Sequence, residues 1–78
     1  MPLEKVLETI SRVLNVPVNM LSEDSSSESF EQWNSLKHMN LVLTLEEEFG
    51  VTFPDEDIVE MLSVRKIVEV LVKLKAAR

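Results

Sequence analysis

The chain contains no cysteine, which excludes a disulfide framework and a thiolate metal site; any thiol chemistry has to be brought by another group. Aromatic residues are scarce, three phenylalanines and one tryptophan, so the core must be built from Leu, Val, Ile and Met, which favours helices. Long apolar runs are also missing: no stretch approaches the roughly 20 residues of a membrane-spanning helix. The opening MPLEKVLETISRV sets charges at helical intervals where a secretory signal would have an uninterrupted apolar core. These absences predict a cytoplasmic protein without stable membrane insertion. What is present, 78 residues of which 45% are hydrophobic, suffices for a single domain over 1–78 with a small core, expected as a monomer.

The net charge of −6 is unevenly spread: residues 31–60 carry eight acids against one base, and residues 61–78 carry five bases against one acid. An acidic middle repels nucleic acid and anionic membrane and steers a protein toward basic partners. The same charge would also serve as a solvated face that keeps a small protein soluble.

Leu3, Val6, Leu7, Ile10, Val13 and Leu14 recur at helical spacing, with Glu4, Lys5, Glu8 and Arg12 between them, and predict an amphipathic first helix that Pro17 ends. NVPVNMLSEDSSSESFEQWN then shows no sustained period and reads as a long loop. Val18, Met20, Leu21, Phe30 and Trp33 are expected to pin it, leaving SEDSSSES solvent-facing and mobile. A connection of this length is uncommon unless it is functional or hides an element. Asn34 or Ser35 caps a second helix whose apolar set, Leu36, Met39, Leu41, Val42, Leu43, Leu45 and Phe49, covers more than half its circumference and predicts a central position. Gly50 suits the left-handed residue that closes it. After an extended link to Pro54, DEDIVEML predicts a short third helix with acids in its first turn, and Val64, Ile67, Val68, Leu71 and Leu74 mark a fourth. Lys73, Lys75 and Arg78 stand at the end of that helix, where its dipole favours cations. The fold expected is all-α, a four-helix bundle with a short third helix and a long loop between helices 1 and 2.

The stretch WNSLKHMNLVLTLEEEFGVTFPDEDI resembles the central segment of the acyl carrier protein family, in which an Asp-Ser-Leu motif opens the second helix and a Leu-Glu-Glu-Glu-Phe stretch, a proline-ended link and an acidic third helix follow. The match is strong over residues 33–58, and element order extends it weakly over the whole chain. The resemblance implies that Ser35, flanked by Asn34 and Leu36, receives a 4′-phosphopantetheine arm from coenzyme A, whose terminal thiol holds acyl groups as thioesters. It implies as partners a phosphopantetheinyl transferase and acyl-processing enzymes with basic docking surfaces. The docking positions would be Glu46, Glu47, Glu48, Asp55, Glu56, Asp57 and Glu60, with Lys37 and Met39. An acyl pocket would draw on Leu45, Phe53, Ile58 and Met61, where an unbranched methionine repacks easily. A helix N-terminus is also a physically sound place for a phosphodiester, because its free amides and positive dipole end stabilise the anion.

Two departures from the family pattern matter. Asn34 stands where the family usually has the aspartate that helps hold the transferase's magnesium, and a hard cation prefers a carboxylate to an amide oxygen. Lys37 and Asn40 replace acids usual in fatty-acid-synthesis carriers, which suggests a dedicated partner set in a specialised fatty-acid, lipid or polyketide pathway. The alternatives are an aminoacyl or peptidyl carrier using the same Ser35 chemistry, and an unmodified interaction module that keeps only the fold. No enzyme is expected: His38, the single histidine, lies one turn from Ser35 on what reads as an exposed polar edge, without a nucleophile turn, oxyanion donors or an orienting group. The carboxylate runs lack the ligand spacing of a calcium loop, so no metal is expected.

Overall fold

Leu3–Leu14 form α1, and the stripe read from the sequence is the buried one: Val6 and Ile10 are fully buried, Leu14 nearly so, and Leu3, Leu7 and Val13 pack partly against the core. Thr9 shares this buried face, its hydroxyl satisfied by donating to the Lys5 carbonyl at 2.8 Å. The computed structural model describes residues 2–76. The helix ends before Pro17, because Asn15 adopts the left-handed conformation (φ 58°, ψ 48°) and its N–H returns to the Ser11 carbonyl. Asparagine tolerates that region better than most residues. Ser11 completes the stop by donating its hydroxyl to the Val16 carbonyl at 2.6 Å.

The following connection is not structureless. It contains a 3-10 turn over Val18–Met20, and Leu21, Phe30 and Trp33 anchor it to the core as expected. Val18 and Met20 do not; they are 47% and 61% exposed. Nor is the serine-rich stretch solvent-facing throughout. Ser25 is buried, the Ser27 N–H donates to the Leu62 carbonyl at 2.8 Å, and the Val64 N–H donates to the Ser25 carbonyl at 2.9 Å. Ser26 and Ser63 form an isolated antiparallel bridge. Arg65 binds Asp24 at 2.6 Å and Glu23 at 3.3 Å, and its hydrogen bond to Asp24, with the charge of Glu23, raises the guanidinium pKa further. The stretch is stapled to residues about 40 positions away, which a local reading of polarity cannot detect.

Ser35–Phe49 form α2, capped by Asn34 in extended backbone and closed by Gly50 at φ 65°, a conformation glycine adopts without steric cost. Its last carbonyls are taken by lysines from the neighbouring helices: Lys5 Nζ donates to Glu48 O at 2.9 Å and Lys75 Nζ to Phe49 O at 2.6 Å. Lys5 also lies 5.0 Å above the Phe49 ring. The α4 lysines thus complete α2 and α3 instead of merely balancing their own dipole, since Lys73 pairs with Asp57 of α3 at 3.2 Å. Arg78 lies outside the described residues. Arg12 and Glu48 add a 2.7 Å bridge between α1 and α2, and the hydrogen bond from Arg12 holds the Glu48 carboxyl below the usual carboxylate range.

Asp55–Ile58 make α3 and Val64–Ala76 make α4, completing the four-helix bundle. The core joins Val6, Ile10, Leu41, Leu45, Met61, Val64, Ile67 and Leu71, all fully buried, at about 1.5–3 kcal/mol for each larger aliphatic side chain removed from water. α2 touches several others, reaching α1 through Arg12 and Lys5, α4 through Lys75 and α3 through His38, but its apolar arc is not wholly buried, since Leu36, Met39 and Leu43 are exposed. Four residues cannot sustain a helix alone, so α3 depends on its tethers. The Pro54 carbonyl accepts from Asp57 and Ile58, Glu46 Oε2 accepts from the Phe53 N–H at 2.9 Å, Lys73 pairs with Asp57, and His38 reaches the Ile58 carbonyl.

Candidate functional site

The head of α2 is built by one side chain. Asn34 Oδ1 accepts the Lys37 N–H at 2.9 Å, satisfying one of the amides a helix start leaves orphaned. The amides of Ser35 and Leu36 have no such partner among the described residues, and with the dipole of a 15-residue helix behind them they favour an anion. Ser35 is exposed, and its hydroxyl makes no hydrogen bond among the described residues. It shares that property with one other serine. Ser11, Ser22, Ser25, Ser26, Ser29 and Ser63 all have hydroxyls engaged in local hydrogen bonds, which leaves Ser27 as the other uncommitted one. A free primary hydroxyl beside unpaired amides fits a phosphodiester-linked group on Ser35.

Beside Ser35, α2 presents Leu36 (72% exposed), Met39 and Leu43, with the half-buried Lys37 and exposed Asn40 among them. Val59 and Leu62, beyond α3, are also exposed. The acids divide into two sets. Glu46 caps the Phe53 amide, Glu48 pairs with Arg12, Asp57 with Lys73, and Glu60 lies 3.7 Å from Lys66. Glu47, Asp55 and Glu56 are exposed and have no hydrogen bond or ion pair among the described residues. Of the residues named for an acyl pocket, Leu45, Phe53 and Met61 are buried in the core, and Ile58 packs partly against it.

His38 is not on an exposed edge. It is 8% exposed, its Nδ1 accepts the Trp33 indole N–H at 3.0 Å, and its Nε2 lies 2.9 Å from the Ile58 carbonyl. Both ring nitrogens are therefore engaged within the protein. The signal for this pairing is in the sequence: a tryptophan and a histidine five positions apart both have polar tips that need partners once buried. Among the described residues no helix is long and apolar enough to cross a membrane, and no group of three or more acids and histidines is placed to hold a metal ion.

Among the described residues, the helical bundle carries an uncommitted serine at the head of its longest helix. Residues 4–71 match the family model described as a phosphopantetheine attachment site. The chain is 33% identical over 73 residues to an acyl carrier protein of Syntrophobacter fumaroxidans, covering 94% of this chain and 90% of that protein. It is 35% identical over 68 residues to one of Thermosynechococcus vestitus, covering 86% and 83%. The solved solution structure of the holo acyl carrier protein from Geobacter metallireducens shares the fold, with a TM-score of 0.85 at 24% identity over 99% of this chain and 90% of that one. The chain belongs to the acyl carrier protein family, whose members are carriers of a covalently attached phosphopantetheine group.

Proposed function

We propose that Ser35 is the attachment residue and that the protein presents acyl thioesters to partner enzymes of a specialised fatty-acid, lipid or polyketide pathway without catalysing a step itself. The observation that carries this reading is the exposed, uncommitted Ser35 hydroxyl beside two unpaired helix-terminal amides. The transfer joins Ser35 Oγ to the phosphorus bearing the pantetheine portion of coenzyme A, breaks the pyrophosphate bond, releases adenosine 3′,5′-bisphosphate, and passes the serine proton to a base of the transferase. The arm then supplies the thiol that a chain without cysteine lacks. Ser35 holds the phosphodiester, the amides of Ser35 and Leu36 stabilise its charge, and Asn34 keeps the helix start ordered. Intact-mass measurement of the protein isolated from its own cell tests this. One phosphopantetheine localised to Ser35, with any acyl group attached, is expected, whereas an unmodified chain would mean an interaction module.

Asn34 sets the transferability of the arm. Its one acceptor oxygen already serves the Lys37 amide, and its NH2 group cannot ligate a cation. In Asn34→Asp one carboxylate oxygen keeps the cap and the other is free for the transferase's magnesium. Arm transfer by a general transferase should accelerate, while stability changes by no more than about 0.3–1 kcal/mol from the added charge–dipole interaction. Equal transfer rates for the two proteins would remove the metal explanation.

Docking uses two kinds of surface in this reading. Leu36 and Met39, with Lys37, make short-range contact beside Ser35, and Glu47, Asp55 and Glu56 steer a basic partner because no cation among the described residues pairs with them. Glu47→Lys or Asp55→Lys should slow association about two- to tenfold at low salt, and added salt should reproduce the loss. Stopped-flow binding checks it. Salt-independent rates, equal for parent and variants, would leave the acids with solubility alone.

A further inference from the structure

Three segments meet at one imidazole. Trp33, two residues before Ser35, is 4% exposed and donates its indole N–H to His38 Nδ1 at 3.0 Å, the two rings lying 6.3 Å apart at 27°. His38 belongs to α2, and its Nε2 is 2.9 Å from the carbonyl of Ile58, the last residue of α3. The roles of all four groups are forced by their chemistry. An indole nitrogen only donates and a backbone carbonyl only accepts, so Nδ1 must be bare and the proton must sit on Nε2. The same Ile58 carbonyl also receives the N–H of the fully buried Met61 at 3.3 Å. One tautomer of one side chain thus links the backbone leading into Ser35 to the end of the shortest helix.

We propose that His38 is a positioning residue that couples the seat of α3 to the segment presenting Ser35. When α3 is seated, Ile58 holds Nε2–H, the ring is fixed, and Nδ1 in turn fixes Trp33 and the turn before Ser35, closed by the Trp33 N–H on the Phe30 carbonyl at 3.1 Å. When α3 moves away from α2, the ring loses that hold and Trp33 loses its fixed acceptor. Linkage makes the relation reciprocal: whatever favours the seated α3 favours the ordered Trp33, and the reverse. Because α3 is four residues long and kept in place by tethers, it is the element able to move at least cost. The significance for the arm rests on Ser35 being its attachment residue; the coupling itself does not.

The test begins with the unmodified protein. Nitrogen-15 NMR should show His38 as the neutral Nε2–H tautomer. Trp33→Phe removes the indole N–H together with the pyrrole part of the ring and leaves a phenyl ring in place, so the packing it loses is measured by exchange in α1 and α4. Relative to those amides, it should speed hydrogen exchange of the Glu60 and Met61 amides, on the far side of the imidazole, about three- to tenfold, the worth of one net hydrogen bond. His38→Gln, which can accept with Oε1 and donate with Nε2, should keep the Trp33 indole protected; His38→Leu should release both ends. If His38→Leu does not fold, Trp33→Phe and His38→Gln still decide the matter. An Nδ1–H tautomer, or Glu60 and Met61 exchange moved by Trp33→Phe no more than that of α1 and α4, overturns the proposal. In a second stage, arm transfer to Ser35 should slow in Trp33→Phe and recover in His38→Gln relative to His38→Leu, and equal transfer rates in all three would overturn the extension to Ser35. Should the parent protein itself never accept an arm, the attachment reading fails while the exchange data still stand or fall separately.

Discussion

Ser35→Ala gives a protein that melts with its parent and takes no arm. The two halves of this result have separate causes. Stability is preserved because the Ser35 hydroxyl has no hydrogen bond to lose, the cap is supplied by Asn34, and alanine has the highest intrinsic helix propensity; the change in unfolding free energy should stay within about 0.5 kcal/mol. Attachment is lost completely because it requires a nucleophilic oxygen, and no neighbouring hydroxyl is both exposed and at the head of the helix. Ser27→Ala is the matching control, since Ser27 is the other serine with an uncommitted hydroxyl, and it should load like the parent. Incubation with coenzyme A and a transferase, read by intact mass, gives an all-or-none answer. A full adduct on Ser35→Ala would move the attachment site elsewhere, with Ser27 the first position to check.

That experiment can be designed largely from the sequence, because the start of α2 is governed by local chemistry. An asparagine before an apolar run caps a helix wherever the run goes, and Gly50 closes it for an equally local reason. The stripe of α1 is legible for the same cause, its period reporting directly which face is buried. What cannot be read depends on partners distant in the chain. The serine-rich stretch looks free until Leu62 and Val64 are brought beside it, and the glutamates look alike until Arg12 and the Phe53 amide claim Glu48 and Glu46.

α2 shows a different limit. Leu36, Met39 and Leu43 carry the same hydrophobic signal as Leu41, Val42 and Leu45, yet the first three face solvent and the second three the core. Periodicity identifies apolar residues but does not say whether they are reserved for the bundle or exposed beside a functional serine. His38 misleads for the opposite reason. A polar residue near a helix start reads as exposed, and only the donor from Trp33 and the acceptor of Ile58 make its burial tolerable.

Met61→Ala should cost far more stability than the exposed substitutions at Ser35, Asn34, Glu47 and Asp55, and the loss should depend on cargo. Met61 is fully buried, so its truncation should lower the stability of the arm-only protein by about 2–5 kcal/mol, a large share of the roughly 5–15 kcal/mol typical of a folded domain. If an acyl chain lodges among Leu45, Phe53, Ile58 and Met61, it interacts with the native state alone. Attachment then raises the unfolding midpoint with each buried methylene, by at most about 0.8 kcal/mol less the cost of parting the core. In the parent the rise should level off once the available space is filled. In Met61→Ala the space left by the side chain should accept further methylenes, so longer chains should recover part of the lost stability and the plateau should shift to greater length. Thermal unfolding of arm-only and acylated forms, parent beside variant, separates this from a purely structural role. Should every acylated form melt with the arm-only protein in both backgrounds, the chain remains in solvent and Met61 serves the core and nothing else.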